Sequence, residues 1–308
     1  MSILNLQSDG LPSIMLTLAR IAAQDKPTSR DDLLGICVPQ SGITKDTDKD
    51  LAARARATLV RWTNLGLFAE DRDQVRLSVG LTKGESIDAF TARLPEVCRE
   101  LALRHENGLP LWATDGSVSE EATGRTADFC RGLAWCLAQD IYTLPNSHAE
   151  IESLVTSQVQ AGRFIFLNDT RWAGFRTWAR FLGCATGDDS SFFCDATPAV
   201  RWAFSQIMHT EETLAASAVI SRLAECLPVI DSGVYRQEVE QTLKPETWKK
   251  PAPGHLSTSL SFALQRLHKQ KTIQLTRMAD ASSQLTLVGQ GGRTWESFTH
   301  VRLTKDAS

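Results

Sequence analysis

The residues of this chain best suited to touch a polyanion lie near its C-terminal end. A helix expected over 256–270 turns Leu260 and Leu264 inward. That spacing sends Thr258, Ser261, Gln265 and Lys269 outward, with Phe262 and Arg266 beside them. Hydroxyl and amide groups reach base edges or phosphates, while Lys and Arg pair with phosphate. His255, Ser257 and Thr258 stand at the start of this helix, where free amides and the helix dipole favour an anion. Lys271 and Arg277 extend the basic face, and Arg293 reaches it from a later loop. The plainer reading is a solvated polar face that keeps the protein soluble.

Other chemistry-bearing residues do not converge. His105-Glu106-Asn107 has attractive types, but three neighbours in sequence read better as a surface loop after a helix. Asp188-Asp189 with Asp195 could hold a cation, yet beside Gly187 and two phenylalanines they read as a turn and a helix cap. Gly289-Gln290-Gly291-Gly292 follows a strand with no helix behind it, which suits a hairpin loop and not a phosphate loop. Seven scattered cysteines include no pair with the two-residue gap of a zinc or redox motif, so they are expected to be reduced core residues. No enzyme, metal site or cofactor is expected.

Charge is distributed unevenly. From Lys244 to Lys305 there are ten Lys/Arg against three acids, a net of +7, which leaves −10 on the rest of the chain. A basic end joined to an acidic body points to a polyanionic partner, most often nucleic acid. No apolar run approaches the length of a membrane span. The opening Met1-Ser2-Ile3-Leu4-Asn5 lacks the features of a signal peptide, so a cytoplasmic location is expected.

These residues need a scaffold, and the periodicity predicts one that is mainly α with small β-wings. Leu11, Ile14, Met15, Leu18, Ile21 and Ala22 mark a first helix, and Ser29 with Asp32 starts a second. A third, over 48–64, turns Leu51, Ala55, Thr58, Leu59 and Trp62 to one face. Short alternating runs at 67–69 and 75–77 complete the order of a winged helix over residues 1–83. Residues 84–208 predict a helical middle domain with helices over 85–103, 121–139, 147–160, 170–182 and 198–208. A second winged helix is expected over 209–308, with helices at 211–227, 233–243 and 256–270 and a hairpin of 272–275 with 284–288 turning at Asp280-Ala281-Ser282-Ser283. In the first unit Arg54, Arg56, Arg61, Arg72 and Arg76 are offset by Asp46, Asp48, Asp50, Asp71 and Asp73, a pattern that favours protein over DNA.

Two stretches, Asn5-Leu6-Gln7-Ser8-Asp9-Gly10-Leu11-Pro12 and Trp295-Glu296-Ser297-Phe298-Thr299-His300, resemble the DpdG family of bacterial dpd gene clusters. Those clusters insert 7-deazaguanine derivatives into DNA and are associated with restriction of unmodified foreign DNA. The resemblance implies a setting in DNA modification or phage defence, with nuclease or helicase chemistry left to partner proteins, and supplies no active-site residues. The expected function is therefore a non-catalytic adaptor that grips double-stranded DNA through its basic end and docks other proteins through its N-terminal and middle domains. A tandem winged-helix scaffold without DNA binding, and a transcriptional regulator with an effector pocket and two-fold symmetry, are the alternatives. Ser297 to His300 read equally as a final strand pairing with the wing.

Overall fold

The computed structural model describes residues 3–4, 11–24, 28–38, 46–113, 122–279 and 283–304, with side chains from 51 onward in the third helix. In chain order the elements are α1 (Pro12–Ala22), β1 (Thr28–Ser29), α2 (Arg30–Cys37), α3 (Asp46–Leu65), β2 (Phe68–Asp71) and β3 (Gln74–Leu77). They continue with α4 (Ile87–Leu103), α5 (His105–Gly108), α6 (Ala127–Ala138), α7 (His148–Gln158), α8 (Asp169–Phe181) and α9 (Thr197–Ile207). The remainder is β4 (Thr213–Ala215), α10 (Ala216–Cys226), α11 (Val234–Glu240), α12 (Thr258–Lys269), β5 (Ile273–Thr276), β6 (Leu285–Val288), β7 (Thr294–Phe298) and β8 (His300–Leu303). The described residues are thus mainly helical, with small antiparallel sheets of two or three strands. Among them no helix is long and apolar enough to cross a membrane.

Two compact units form, 1–127 with 169–181 and 128–168 with 182–308. The expected boundaries at 83/84 and 208/209 both fall inside these units, before α4 and before β4.

In the first unit local signals set the elements. Pro12 opens α1, whose Ile14, Met15 and Leu18 are buried, and the Ser29 hydroxyl accepts the Asp32 amide at 3.1 Å to cap α2. On α3, Ala55, Thr58, Leu59 and Trp62 face the core as their spacing predicts, but Leu51 stays 39% exposed. Gly66 then takes φ +95°, and the amides of Gly66 and Leu67 return to the carbonyls of Thr63 and Trp62, a Schellman closure. Strands β2 and β3 form the expected hairpin, and β1, which the periodicity did not show, adds to β3 to give the order β1-β3-β2. Trp62 and Trp178 of α8 meet with ring centroids 5.4 Å apart in this core.

Before α4, Glu85 takes two hydrogen bonds from Arg93, at 2.5 and 2.8 Å, and one from the Thr82 amide. The Arg93 contact above all, then that amide, holds the Glu85 carboxyl at about 2, down from its ordinary 4.5. A carboxyl depressed by folding stabilises the fold above its unfolded value and loses that contribution as pH falls through the folded one. Acid titration of the unfolding midpoint should show the wild type losing more stability than Glu85→Gln between pH 4.5 and 2. Parallel curves would mean that the pair contributes nothing.

In the second unit α6 is buried nearly all round, and Trp135, Gln158 and Gln139 close a ring of interior hydrogen bonds at 2.9–3.2 Å. The strands of this unit pair differently from expectation. β5 does not form a hairpin with β6. It lies against β8, which also takes β4, giving the order β4-β8-β5, and β6 pairs with β7. The reason is the alternation in His300-Val301-Arg302-Leu303, which puts Val301 and Leu303 into the core and outcompetes the shorter loop closure. The expected turn at Asp280-Ala281-Ser282 lies outside the described residues. Residues 213–215, expected at the head of a helix, form β4, and α10 starts only at Ala216.

A recurrence results. In the first unit a helix, a strand, two helices and two strands give a sheet whose earliest strand lies beside the latest. The second unit repeats this with α9, β4, α10, α12, β5 and β8, adding α11 between the helices and the β6–β7 hairpin between the last strands.

Candidate nucleic-acid interface

Helix α12 carries most of the residues expected to meet a ligand, and the structure sorts them. Its first four positions, Thr258, Ser259, Leu260 and Ser261, are all buried. Four consecutive residues point almost all the way round a helix, so this end is enclosed on every side. Thr258 was expected to face out. Instead its hydroxyl accepts the Ile141 amide at 3.1 Å and donates to the Gln139 carbonyl at 3.2 Å. Ser261 likewise points inward and accepts the Val288 amide at 2.8 Å. The corrected orientation has one cause: α12 packs against the α6 end on one side and β6 on the other.

The helix N-terminus is also occupied. The Ser257 hydroxyl caps it by accepting from the Leu260 amide, and Asp231 accepts the Ser257 amide at 2.6 Å. An internal carboxylate therefore stands where a phosphate was expected. Arg236, 1% exposed, lies between Asp231 at 3.7 Å and Glu240 at 2.7 Å.

The second half of α12 is different. Gln265 is half-buried, while Arg266 and Lys269 are exposed. Arg266 is nevertheless engaged: its guanidinium pairs with buried Asp195 and lies 5.6 Å from the centre of the Phe262 ring. Lys269 and Lys271 stand together at the helix end. Lys271 takes φ +57°, and the amides of Lys271 and Thr272 return to the carbonyls of His268 and Leu267. This is the closure that Gly66 makes in the first unit, but here a β-carbon sits in the left-handed region at a cost of roughly 1 kcal/mol. Arg277 is exposed beyond the opposite end of β5, about 20 Å from Lys271 along an extended chain. Arg293 is exposed in the loop between β6 and β7. Lys271 and Arg277 are thus set apart by the length of β5 instead of sharing one tight patch with Arg266.

In the first unit Arg56, Arg72 and Arg76 are exposed but Arg61 is only 3% so, and exposed Asp71 and Asp73 flank Arg72. The side chains of Asp46, Asp48 and Asp50 lie outside the described residues. His105-Glu106-Asn107 belongs to the short helix α5, not a loop, and buried Asn107 donates to the carbonyls of Leu65 and Leu101. Asp188 is held at about 2 by the Ser190 hydroxyl first, then the Ser190 amide, within its own turn. Asp195 accepts the Thr197 amide and pairs with Arg266. Among the described residues no group of three or more His, Cys, Asp or Glu could hold a metal ion. Beside α7 lies a cleft of about 430 Å³ lined in part by Ile151, Val155, Phe164, Phe166 and Leu167.

The contacts that Asp231 and Asp195 make with α12 were missed in the sequence. They act on α12 from 26 and 71 residues away, and no spacing rule links such positions.

A family model described as DpdG-like matches residues 1–281. The match includes the stretch at 5–12, whose residues 5–10 lie outside the described ones, and stops before Trp295. No curated protein and no solved structure matches the chain.

Proposed function

Because this chain belongs to the DpdG-like family, we propose that it is a non-catalytic adaptor of a prokaryotic DNA-modification or defence complex, and that its second unit holds duplex DNA by the backbone. Both recurrent units are read as winged helices. The support is topological: helix, strand, two helices and two strands, with the first strand beside the last, is the winged variant of helix-turn-helix. The first unit, with its alternating Asp and Arg, is assigned to protein partners.

One observation carries the DNA reading. Exposed Lys271 occupies a left-handed helix-closing position that glycine would fill more easily, next to Lys269. A cation standing at a backbone position that favours glycine suits a surface whose charge matters. Contact is assigned to Lys269, Lys271 and Arg277 with phosphates, which position a protein without reading sequence. Thr258 and Ser261 are left out of it because their hydroxyls are spent internally.

The test is duplex binding across a salt series, with Lys269→Ala/Lys271→Ala/Arg277→Ala beside the wild type. Each lost phosphate contact should flatten the log–log salt slope by about 0.9. No binding at low salt, or binding indifferent to the three substitutions, would overturn the reading. The enclosed N-terminal end of α12 would then favour a scaffold that binds protein alone.

A further inference from the structure

Four aromatic side chains from separate segments of the second unit meet beside the outward face of α12. Tyr142 follows α6, Phe193 precedes α9, Phe262 lies on α12 and Trp295 on β7. The centroid of Tyr142 is 6.1–6.4 Å from the other three, and Phe193 is 5.4 Å from Phe262, all tilted or edge-to-face. All four are half-buried, whereas the core aromatics Phe129, Trp135 and Phe204 of the same unit are fully enclosed. Among the described residues neither the Tyr142 hydroxyl nor the Trp295 indole N–H has a hydrogen-bond partner, while the indoles of Trp135 and Trp248 donate to Gln158 and Ala138.

The cluster is held in place from behind. One oxygen of Asp140 accepts the Tyr142 amide and the other the Gly291 amide, both at 3.1 Å, tying the Tyr142 segment to the β6–β7 loop. Gly289 lets that loop lie against the indole, since a β-carbon there would come within 2.3 Å of the Trp295 ring. The Arg266 guanidinium lies 5.6 Å from the centre of the Phe262 ring, and exposed Arg293 is two residues from Trp295 along the chain. Of the acids on these segments, Asp195 is paired with Arg266, both Asp140 oxygens are used, Asp188 is bonded within its own turn, and Glu296 alternates to the opposite face of β7 from Trp295.

We propose that Tyr142, Phe262 and Trp295 form a stacking platform for an unpaired base of single-stranded nucleic acid, with exposed Arg293 on its phosphates. Aromatic rings that are only partly enclosed, on a basic unit, are the elements of sequence-tolerant single-strand binding. A base inside a duplex is already stacked on both faces and has none to offer. The proposal rests on the nucleic-acid reading above but uses different residues, so the two can fail separately.

The full chain is titrated with a short fluorescent oligothymidylate and with a hairpin duplex, as wild type, Tyr142→Leu, Trp295→Leu, Trp295→Phe and the basic triple variant. Leucine at either position should weaken oligothymidylate binding about tenfold and leave the duplex unaffected, while Trp295→Phe keeps most of the affinity. Melting temperatures identify any variant that fails to fold, and Tyr142→Leu carries the test if Trp295→Leu does. Unchanged single-strand affinity in folded leucine variants overturns the platform and points to a protein-docking patch. Duplex binding that still depends on the basic residues would then leave the proposed function standing. If the wild type binds neither probe, both fall.

Discussion

Replacing Arg236 with alanine is expected to lower the stability of the second unit by about 3–5 kcal/mol. The guanidinium is 1% exposed, with Glu240 at 2.7 Å and Asp231 at 3.7 Å, and both carboxylates are themselves nearly enclosed. Removing the cation strands two charges in a place that water solvates poorly, and that penalty exceeds any packing loss. Lys250 also touches Glu240, at 3.1 Å, but is 73% exposed, so Lys250→Ala should cost less than about 1 kcal/mol. A neutral set, Arg236→Met with Asp231→Asn and Glu240→Gln, should recover much of the loss, since no charge is left behind. Urea unfolding of the four proteins makes the comparison. A loss below about 1 kcal/mol for Arg236→Ala would show that the carboxylates find water or protons instead. The effect bears on function because Asp231 also holds the Ser257 amide and thereby the start of α12.

What could be read in the sequence divides along the range of the forces involved. The cap of α2, the buried face of α3 and the β2–β3 hairpin depend on residues within a few positions of each other, and their patterns were visible. The second sheet depends on Leu214, Leu275 and Val301 finding one another across the unit, and a three-residue run such as Thr213-Leu214-Ala215 fits a helix as well as a strand. The basic C-terminal end was legible because charge shows in composition. The orientation of Thr258 and Ser261 was not, because a one-faced helix was assumed where α12 is enclosed on two sides. The aromatic cluster was hidden for the same reason as the contacts of Asp231 and Asp195 with α12: its members come from four distant segments.

Thr258 and Ser261 give the second large expected effect, and they separate packing from recognition. Ser261→Ala removes the acceptor for the Val288 amide, and Thr258→Val removes the one for the Ile141 amide, which is buried beside it. A buried donor left unsatisfied costs about 1–3 kcal/mol, so each variant should melt earlier than the wild type. Duplex affinity, measured below the melting transition, should stay the same, since neither hydroxyl reaches the surface. The opposite pattern, unchanged melting with weaker DNA binding, would return both hydroxyls to the interface and require α12 to swing its N-terminal end away from residues 139–141 on binding. Such a movement would have to break the Asp231–Ser257 contact too. Asp231→Ala should therefore strengthen DNA binding if the end opens, and only destabilise the unit if it stays closed.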